Sequence, residues 1–287
     1  MKRTESFFAI ICFSLLLAIV PSCSNDKPAD NHVDSVHDTI TSQNLNDTMR
    51  MRFQRLVSAM PVPFDMLKQF TGAHLPFRGE LLNSPQNATS YNRDDQRSIN
   101  LGIYGADLAY MISQDKLGDA APYLKSIRQL SDEVVIPSAF DGNMMQRFDN
   151  NQNRKDSLQK LVHYSYQKID STLQGNDRLI LATLVITGGW LEGIYVTTQH
   201  IGDEQQNEKN KVLFDMLAGQ QIYISNISEL LGSFPNDSTC KNLHLDFETL
   251  KKSFPKGADI PADQFSRQLN DLRVKVAEIR NRLVSIQ

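Results

Sequence analysis

The sequence lacks the residue arrangements on which most well-known enzyme sites are built. It contains no Gly-x-Ser-x-Gly nucleophile motif, no glycine-rich phosphate-binding loop, no Cys-x-x-Cys pair and no His-Glu-x-x-His zinc motif. It also lacks the Glu-x-x-His motifs that di-metal bundles carry on two helices. The standard forms of these sites are therefore excluded, and we predict neither a cofactor nor a metal site.

Strand patterns are missing as well. Alternation of apolar and polar residues with a period of two nowhere persists for more than a few positions, which argues against a sheet. From Asp47 onward the apolar residues instead recur at helical spacing, interrupted by proline and glycine. The sequence therefore predicts an all-α fold, a multi-helix bundle of about eight helices.

One long apolar run covers residues 179–198 and contains the only tryptophan, Trp190. Drawn as a helix, the run is apolar on every side, which is typical of a helix that is buried all round. Its length would also span a bilayer. However, Glu192 lies in the middle of the run, and an ionised carboxylate there is costly in lipid. We therefore predict that residues 179–198 form the buried central helix of the bundle.

The amino terminus has the pattern of a secretory signal. Lys2 and Arg3 precede an apolar run over residues 7–20, and small residues follow it. The apolar run is too short to span a membrane, so we expect it to be cleaved. Residues 1–22 are therefore predicted to be a signal peptide.

The end of this signal, Val20-Pro21-Ser22-Cys23, resembles the lipobox of bacterial lipoprotein precursors. The resemblance implies that Cys23 is lipidated and becomes the first residue of the mature protein. Ser24, which follows it instead of aspartate, implies sorting to the outer membrane. The alternative is an ordinary secreted protein in which a cysteine falls at this position by chance.

Residues 23–45 are predicted to be a lipidated flexible tether, and residues 46–287 a single helical domain. The tether has no aromatic residues, four aspartates and no periodic apolar face, so it cannot bury enough surface to become ordered. Loss of two basic residues and one acidic residue with the signal leaves 28 basic and 32 acidic residues, a net charge of −4. This charge argues against nucleic acid as a partner. The partner that we expect is the membrane, which the protein would bind through its lipid anchor.

Cysteine is scarce, with three residues in the chain. Cys12 would be lost with the signal and Cys23 would carry lipid, so Cys240 would have no partner for an internal disulfide. The fold must then be held by its apolar core. Cys240 could be a nucleophile with His244 as its base, but a partly buried, unreactive thiol is the interpretation that we favour.

Six triplets read Asp, then Ser or Thr, then a small apolar residue or Thr, which exceeds what composition alone would give. They resemble the O-glycosylation acceptor triplet of Bacteroidota-type exported proteins. The resemblance implies candidate acceptors at Ser35, Thr39, Thr48, Ser157, Ser171 and Ser238. The alternative is that Asp47, Asp156 and Asp237 are helix N-caps.

Two predicted helices carry stripes of small residues. In the helix over residues 93–114 the stripe comprises Gly102, Gly105, Ala106 and Ala109; in the central helix it comprises Ala182, Gly189 and Gly193. Glycine costs up to about 1 kcal/mol in a helix interior, so close approach of another backbone should compensate for it. We predict that these two helices cross directly. The alternative is that the glycines leave a slot for a ligand.

The same two helices contain acidic residues, Asp107 and Glu192, each followed three positions later by a tyrosine, Tyr110 or Tyr195. A buried carboxylate must be paired, hydrogen-bonded or protonated. We favour a structural role for this candidate polar pair, in which it accepts hydrogen bonds from Tyr, Arg or Trp190. The alternative is an active site, in which the carboxylates perform acid–base work or bind a cation.

The last predicted helix, residues 263–287, has the most regular pattern. Its apolar residues step by four and three in alternation, at Phe265, Leu269, Leu272, Val276, Ile279, Leu283 and Ile286. This heptad seam predicts packing along the bundle, with self-association or binding of a protein partner as the alternative. We also predict a long loop over residues 74–92 and one helix over residues 205–234.

The segments NLGIYGADLAY and GGWLEGIY are similar to uncharacterised envelope lipoproteins of Bacteroidota-type bacteria. That similarity implies a cell-envelope location and no particular activity. The function expected from the sequence is a non-enzymatic envelope lipoprotein, a binding or scaffold module displayed from the outer membrane. The alternative is a small-molecule or metal-dependent enzyme that uses Asp107 and Glu192.

Overall fold

Helical spacing of apolar residues governs the fold. In the computed structural model every regular element is a helix in the part that is described, which comprises residues 47–58, 67, 75–134, 142–151, 154–175, 178–202, 206–208, 211–254 and 262–285. All of these residues lie in one compact unit, Gln43–Gln287. The predicted all-α fold is therefore confirmed. The signal peptide, Cys23 and the predicted tether lie outside the described residues.

The α-helices are numbered here in chain order within the described residues. They are α1 (47–58), α2 (Asp94–Ser113), α3 (Ala121–Glu133), α4 (Gly142–Asp149), α5 (Lys155–Gly175), α6 (Leu179–Ile201), α7 (Lys211–Ala218), α8 (Gln221–Gly232), α9 (Ser238–Ser253) and α10 (Ala262–Val284). Short 3-10 helices lie at Gly79–Leu81, Pro85–Ser90 and Leu117–Asp119.

Helices α2 and α6 pack against each other more extensively than any other pair in the described part of the chain. A Cβ atom added at Gly102 of α2 would lie 2.0 Å from the Val185 carbonyl oxygen, and one added at Gly188 of α6 would lie 2.1 Å from the Ile99 carbonyl oxygen. Only hydrogen fits at these positions. The predicted direct crossing is confirmed, although Gly188, which the predicted stripe omitted, makes one of the two closest approaches.

The two helices run in the same direction. Gly102 faces residues 185–189 at the crossing, and farther along the hydroxyl of Tyr110 lies 2.7 Å from Nε2 of His200. Residues of α2 that lie carboxyl-terminal to the crossing are therefore beside residues of α6 that lie carboxyl-terminal to it. This arrangement brings together side chains from the carboxyl-terminal halves of α2 and α6.

Helix α6 is buried along most of its length and also packs against α5, α7, α8 and α10. By length and composition it could cross a membrane, and it is the one such helix within the described ranges. However, 78% of its most apolar 18-residue window is buried inside the fold. A core helix gives the same membrane signal, so the burial favours a place in the bundle core.

The seam of α10 packs inside the chain. Leu272 and Val276 have no exposed surface, and Phe265 stacks on Phe214 of α7 with ring centroids 5.3 Å apart. Helix α10 contacts α2, α6 and α9. Packing along the bundle is thus observed, and self-association through residues 263–287 stays a prediction. Ile286 lies outside the described residues.

Two of the predicted elements are wrong in detail. The single helix expected over residues 205–234 is divided into α7 and α8 by a turn at Gly219 and Gln220, where the Gln220 N–H bonds to the Leu217 carbonyl at 3.0 Å. The break lets both short helices turn apolar residues inward. The loop expected over residues 74–92 contains two of the short 3-10 helices, and its buried residues include Leu81, Asn83 and Tyr91.

Candidate functional site

Two buried carboxyl groups meet beyond the crossing of α2 and α6. Asp107 follows Gly102 on α2 and Glu192 follows Gly189 on α6, and neither side chain has any exposed surface. Since the helices run in the same direction, the two residues remain neighbours. Their carboxyl groups lie within hydrogen-bond reach of each other. The structure therefore brings the predicted pair of acidic residues together.

Arg280 of α10 joins this pair. Its Nε and Nη2 atoms each donate a hydrogen bond of 2.9 Å to one carboxylate oxygen of Glu192, and Nη2 also donates to the Leu81 carbonyl at 3.0 Å. Burial alone would lower the pKa of Arg280, but the adjacent Glu192 carboxylate more than reverses this effect, so the pKa is raised. Arg280 and Glu192 thus form a bidentate buried salt bridge. We call Asp107, Glu192 and Arg280 the buried charge cluster.

Asp107 has a different environment from Glu192. Its Oδ2 atom accepts a hydrogen bond of 3.1 Å from the backbone N–H of Asn83, whereas no group in the described part of the chain donates to its Oδ1 atom. Burial, and then the negative charge of Glu192, raise the pKa of Asp107 well above its usual range. Both effects favour the protonated, neutral form of Asp107 beside the salt bridge of Glu192 and Arg280.

The two predicted tyrosines lie in different places. The ring of Tyr195 packs beneath Arg280, with the guanidinium carbon 4.7 Å from the ring centroid, in a cation–π contact. Tyr110 instead accepts a hydrogen bond of 3.1 Å from the Arg78 N–H, and its hydroxyl lies 2.7 Å from Nε2 of His200. Burial lowers the pKa of His200 to about 4, so its ring is uncharged at neutral pH. Tyr195 thus contacts the buried charge cluster, and Tyr110 belongs to a second polar group.

Residues 75–91, which we call the cover segment, lie over the cluster. Their backbone groups bond to buried side chains: Leu81 to Arg280, Asn83 to Asp107, and the Ser84 carbonyl to the hydroxyl of Tyr104 at 2.7 Å. Buried backbone groups must find such partners because they have lost water. The cover segment is therefore fixed to the bundle by specific side chains rather than by regular secondary structure.

The same hydrogen-bond network caps the carboxyl terminus of α10. The Asn83 side chain donates to the Tyr91 hydroxyl at 3.0 Å and to the Asn100 side-chain oxygen at 3.2 Å. Tyr91 then donates to the Val284 carbonyl at 3.2 Å, and Asn100 donates to the Leu283 carbonyl at 3.1 Å. Terminal carbonyls of a helix have no partner within the helix. Side chains of the cover segment and α2 thus cap α10.

Sequence reasoning missed Arg280, although a signal was present. Arg280 lies four residues after Val276 and eight after Leu272, so it falls on the apolar face of the heptad pattern. An arginine on such a face needs a buried partner. Glu192, the acidic residue in the middle of the most apolar helix, was the matching signal.

Cys240 does not have the environment of a nucleophile. It has no exposed surface, and burial raises the pKa of its thiol. His244, one turn away, directs its Nδ1 atom to the Ser228 carbonyl at 2.9 Å. The thiol and imidazole therefore do not form the pair that catalysis would need.

The candidate glycosylation residues differ in exposure. Thr48 and Ser238 are exposed and Ser157 is half-buried, whereas Ser35, Thr39 and the side chain of Ser171 lie outside the described residues. The N-cap interpretation is confirmed at Asp237, which accepts a hydrogen bond of 2.8 Å from the Cys240 N–H. It is wrong at Asp156, since α5 begins at Lys155. Helix α1 is already helical at Asp47, the first described residue.

A surface groove of about 250 Å³ lies between the start of α2, the start of α9 and the end of α10. Its charges are already paired: Asp95 accepts hydrogen bonds from Arg93 and from Thr239, and Arg282 pairs with Asp246. None of the buried charge cluster lines this groove.

Comparison of the chain with protein-family models, curated proteins and solved structures finds no match.

Proposed function

We propose that this chain is a non-enzymatic envelope lipoprotein, a binding or scaffold module held at the outer membrane by a lipid on Cys23. The observation that carries the non-enzymatic part is the closure of the buried charge cluster. Asp107 and Glu192 have no exposed surface, and Arg280 engages both oxygens of Glu192. A substrate could not reach either carboxylate without displacing part of the structure that buries them.

The polar centre supports a structural role because its bonds join separate parts of the chain. Glu192 of α6 is tied to α10 through Arg280, and Arg280 and Asp107 are tied to the backbone of the cover segment. Such contacts fix the relative positions of elements that apolar packing alone leaves free to slide. A rigid helical body on a lipid anchor fits display of a binding surface at the envelope.

The lipid anchor is tested by substitution of Cys23. We expect the full-length protein to incorporate labelled palmitate and to sediment with membranes, and expect Cys23→Ser to lose both properties. Cys12→Ser is the matched control, because that cysteine lies in the predicted signal, and it should retain both. Unchanged labelling of the Cys23→Ser protein would refute the anchor.

O-glycosylation belongs to the same proposal. Thr48 and Ser238 are exposed, which a glycosyltransferase requires of its acceptors. Intact-mass measurement of protein purified from its native host should show added hexose-containing mass that Thr48→Ala or Ser238→Ala reduces. The mass predicted from the sequence and lipid alone would refute the modification.

A further inference from the structure

The Asp107 carboxyl group is incompletely hydrogen-bonded if it carries a charge. Within the described residues no N–H or O–H group donates to its Oδ1 atom, and the side chain has no exposed surface. A carboxylate oxygen that has lost water without gaining a donor is strongly disfavoured. A proton on Oδ1 removes this cost, because the resulting O–H can donate to the adjacent Glu192 carboxylate.

The charges around Asp107 lead to the same assignment. Glu192 on α6 and Arg280 on α10 neutralise each other, so an ionised Asp107 would leave the buried charge cluster with a net charge of −1. Within the described residues, four phenols also act electrostatically with Asp107, and they are neutral at ordinary pH: Tyr91 in the cover segment, Tyr104 on α2, Tyr123 on α3 and Tyr195 on α6. No second cation among these groups compensates for an additional charge.

The cover segment is the part of the fold that an ionised Asp107 would disturb first. The Asn83 N–H bonds directly to Asp107, and the Leu81 carbonyl bonds to the same Arg280 nitrogen that serves Glu192. A second buried carboxylate would compete for Arg280 and would require water. Water can reach the cluster if these two backbone contacts open, whereas the crossing of α2 and α6 is closed by direct backbone contact.

We propose that the cover segment is a pH-sensitive latch: a proton on Asp107, shared with Glu192, keeps residues 75–91 closed over the buried charge cluster, and loss of that proton at higher pH loosens the segment. The latch is independent of lipidation and of the proposed function, because it depends on contacts within the helical unit alone.

The latch makes stability depend on pH with a definite sign. Between the ordinary pKa of aspartate, about 3.9, and the raised pKa of Asp107 in the fold, the folded chain binds one more proton than the unfolded chain. The equilibrium constant for unfolding therefore rises as pH increases, by up to about tenfold per pH unit. The stabilisation is fully present below this window and is lost as pH rises through the folded pKa. His200 has the opposite sign, since its ring gains charge on the acid side.

The first test compares the full-length wild type with Asp107→Asn by urea unfolding between pH 4 and pH 9. Asparagine resembles the protonated acid but has no titratable proton. Between the ordinary pKa of aspartate and the raised pKa of Asp107, the unfolding constant of the wild type should therefore rise with pH relative to that of Asp107→Asn. Asp271→Asn is the matched control, because Asp271 is a half-exposed aspartate paired with Lys275 at 2.6 Å, and it should follow the wild type there. Parallel curves for the wild type and Asp107→Asn across the whole range would overturn the latch.

Hydrogen exchange shows where the structure loosens. In the wild type, exchange of the amide protons in residues 75–91 should accelerate with pH more than exchange of those in α9, which serve as the reference for the chemical effect of pH. Asp107→Asn should remove this additional acceleration. Equal acceleration in both segments would refute a latch located in the cover segment.

A measurement on the wild type covers the case in which Asp107→Asn does not fold. With ¹³C-labelled aspartate and assigned resonances, the Asp107 carboxyl should titrate above the ordinary range of the residue, and it must be told apart from Asp246, whose pKa burial also raises. If the Asp107 carboxyl itself titrates within or below that range, Asp107 does not hold its proton and the proposal fails.

Discussion

Arg280 and Glu192 are 88 residues apart in the sequence, yet two hydrogen bonds of 2.9 Å join the guanidinium to both carboxylate oxygens. The side chain of Arg280 is 8% exposed and that of Glu192 is not exposed at all. Removal of one partner therefore leaves the other as an unpaired buried charge. We expect Arg280→Met to lower the free energy of unfolding by about 3–5 kcal/mol, measured by urea denaturation.

The control for this prediction lies two residues farther along the same helix. Arg282 pairs with Asp246, but its side chain is 50% exposed. Because water screens an exposed ion pair, Arg282→Met should cost about 1 kcal/mol or less. Arg280→Met combined with Glu192→Leu should recover part of the lost stability, since apolar side chains can replace a buried pair. Equal losses at positions 280 and 282 would contradict the importance of burial.

A methyl group at the crossing of α2 and α6 should be strongly destabilising. In Gly102→Ala the new Cβ atom would lie 2.0 Å from the Val185 carbonyl oxygen, which belongs to a helix backbone and cannot rotate away. We expect a loss of about 3 kcal/mol or more in the free energy of unfolding. Gly118→Ala provides the comparison, because no heavy atom lies within 4 Å of its added Cβ. That change should stay within about 0.5 kcal/mol, and similar effects at both glycines would argue against the crossing.

His200 should make the fold sensitive to acid. Burial holds its pKa in the fold at about 4, against an ordinary value of 6.5, so the unfolded chain binds more protons between these values. The stability that depends on neutral His200 is present above pH 6.5 and is lost as pH falls toward 4. His200→Gln should flatten this part of the pH profile in denaturation experiments. His163→Gln is the control, because His163 is half-exposed on α5, where its ring lies 3.0 Å from the Gln167 side-chain nitrogen. A similar flattening by both substitutions would contradict the role of His200.

Cys240 should react slowly with thiol reagents in the folded protein. It has no exposed surface, and burial raises the pKa of its thiol, so little thiolate forms at neutral pH. In the full-length Cys12→Ser/Cys23→Ser variant, where Cys240 is the remaining thiol, we expect Ellman's reagent to react only after urea unfolds the chain. Rapid reaction before unfolding would show that α9 does not bury this residue.

Much of the architecture was predictable because helical patterns are local. The apolar run around Trp190 predicted a buried helix, and the small residues near Gly102 predicted close contact with it. The break at Gly219 was not predictable from periodicity, because the apolar residues of α7 and α8 continue in nearly the same phase across it. Pairing of Asp107 with Glu192 was a hypothesis from their places inside the two helices with stripes of small residues, whereas the separation of Tyr110 from this pair required the positions of the helices.

The sequence by itself determined that the described part of this chain is helical and which face of each helix is apolar, because each depends on residues within a few turns of one another. Only the tertiary structure decided which elements meet at the polar centre. Arg280 pairs with Glu192, and Asn83 of the cover segment donates a hydrogen bond to Asp107, and in both cases the partners are far apart in the chain. Such contacts depend on the direction and register of packed helices, which no local pattern specifies.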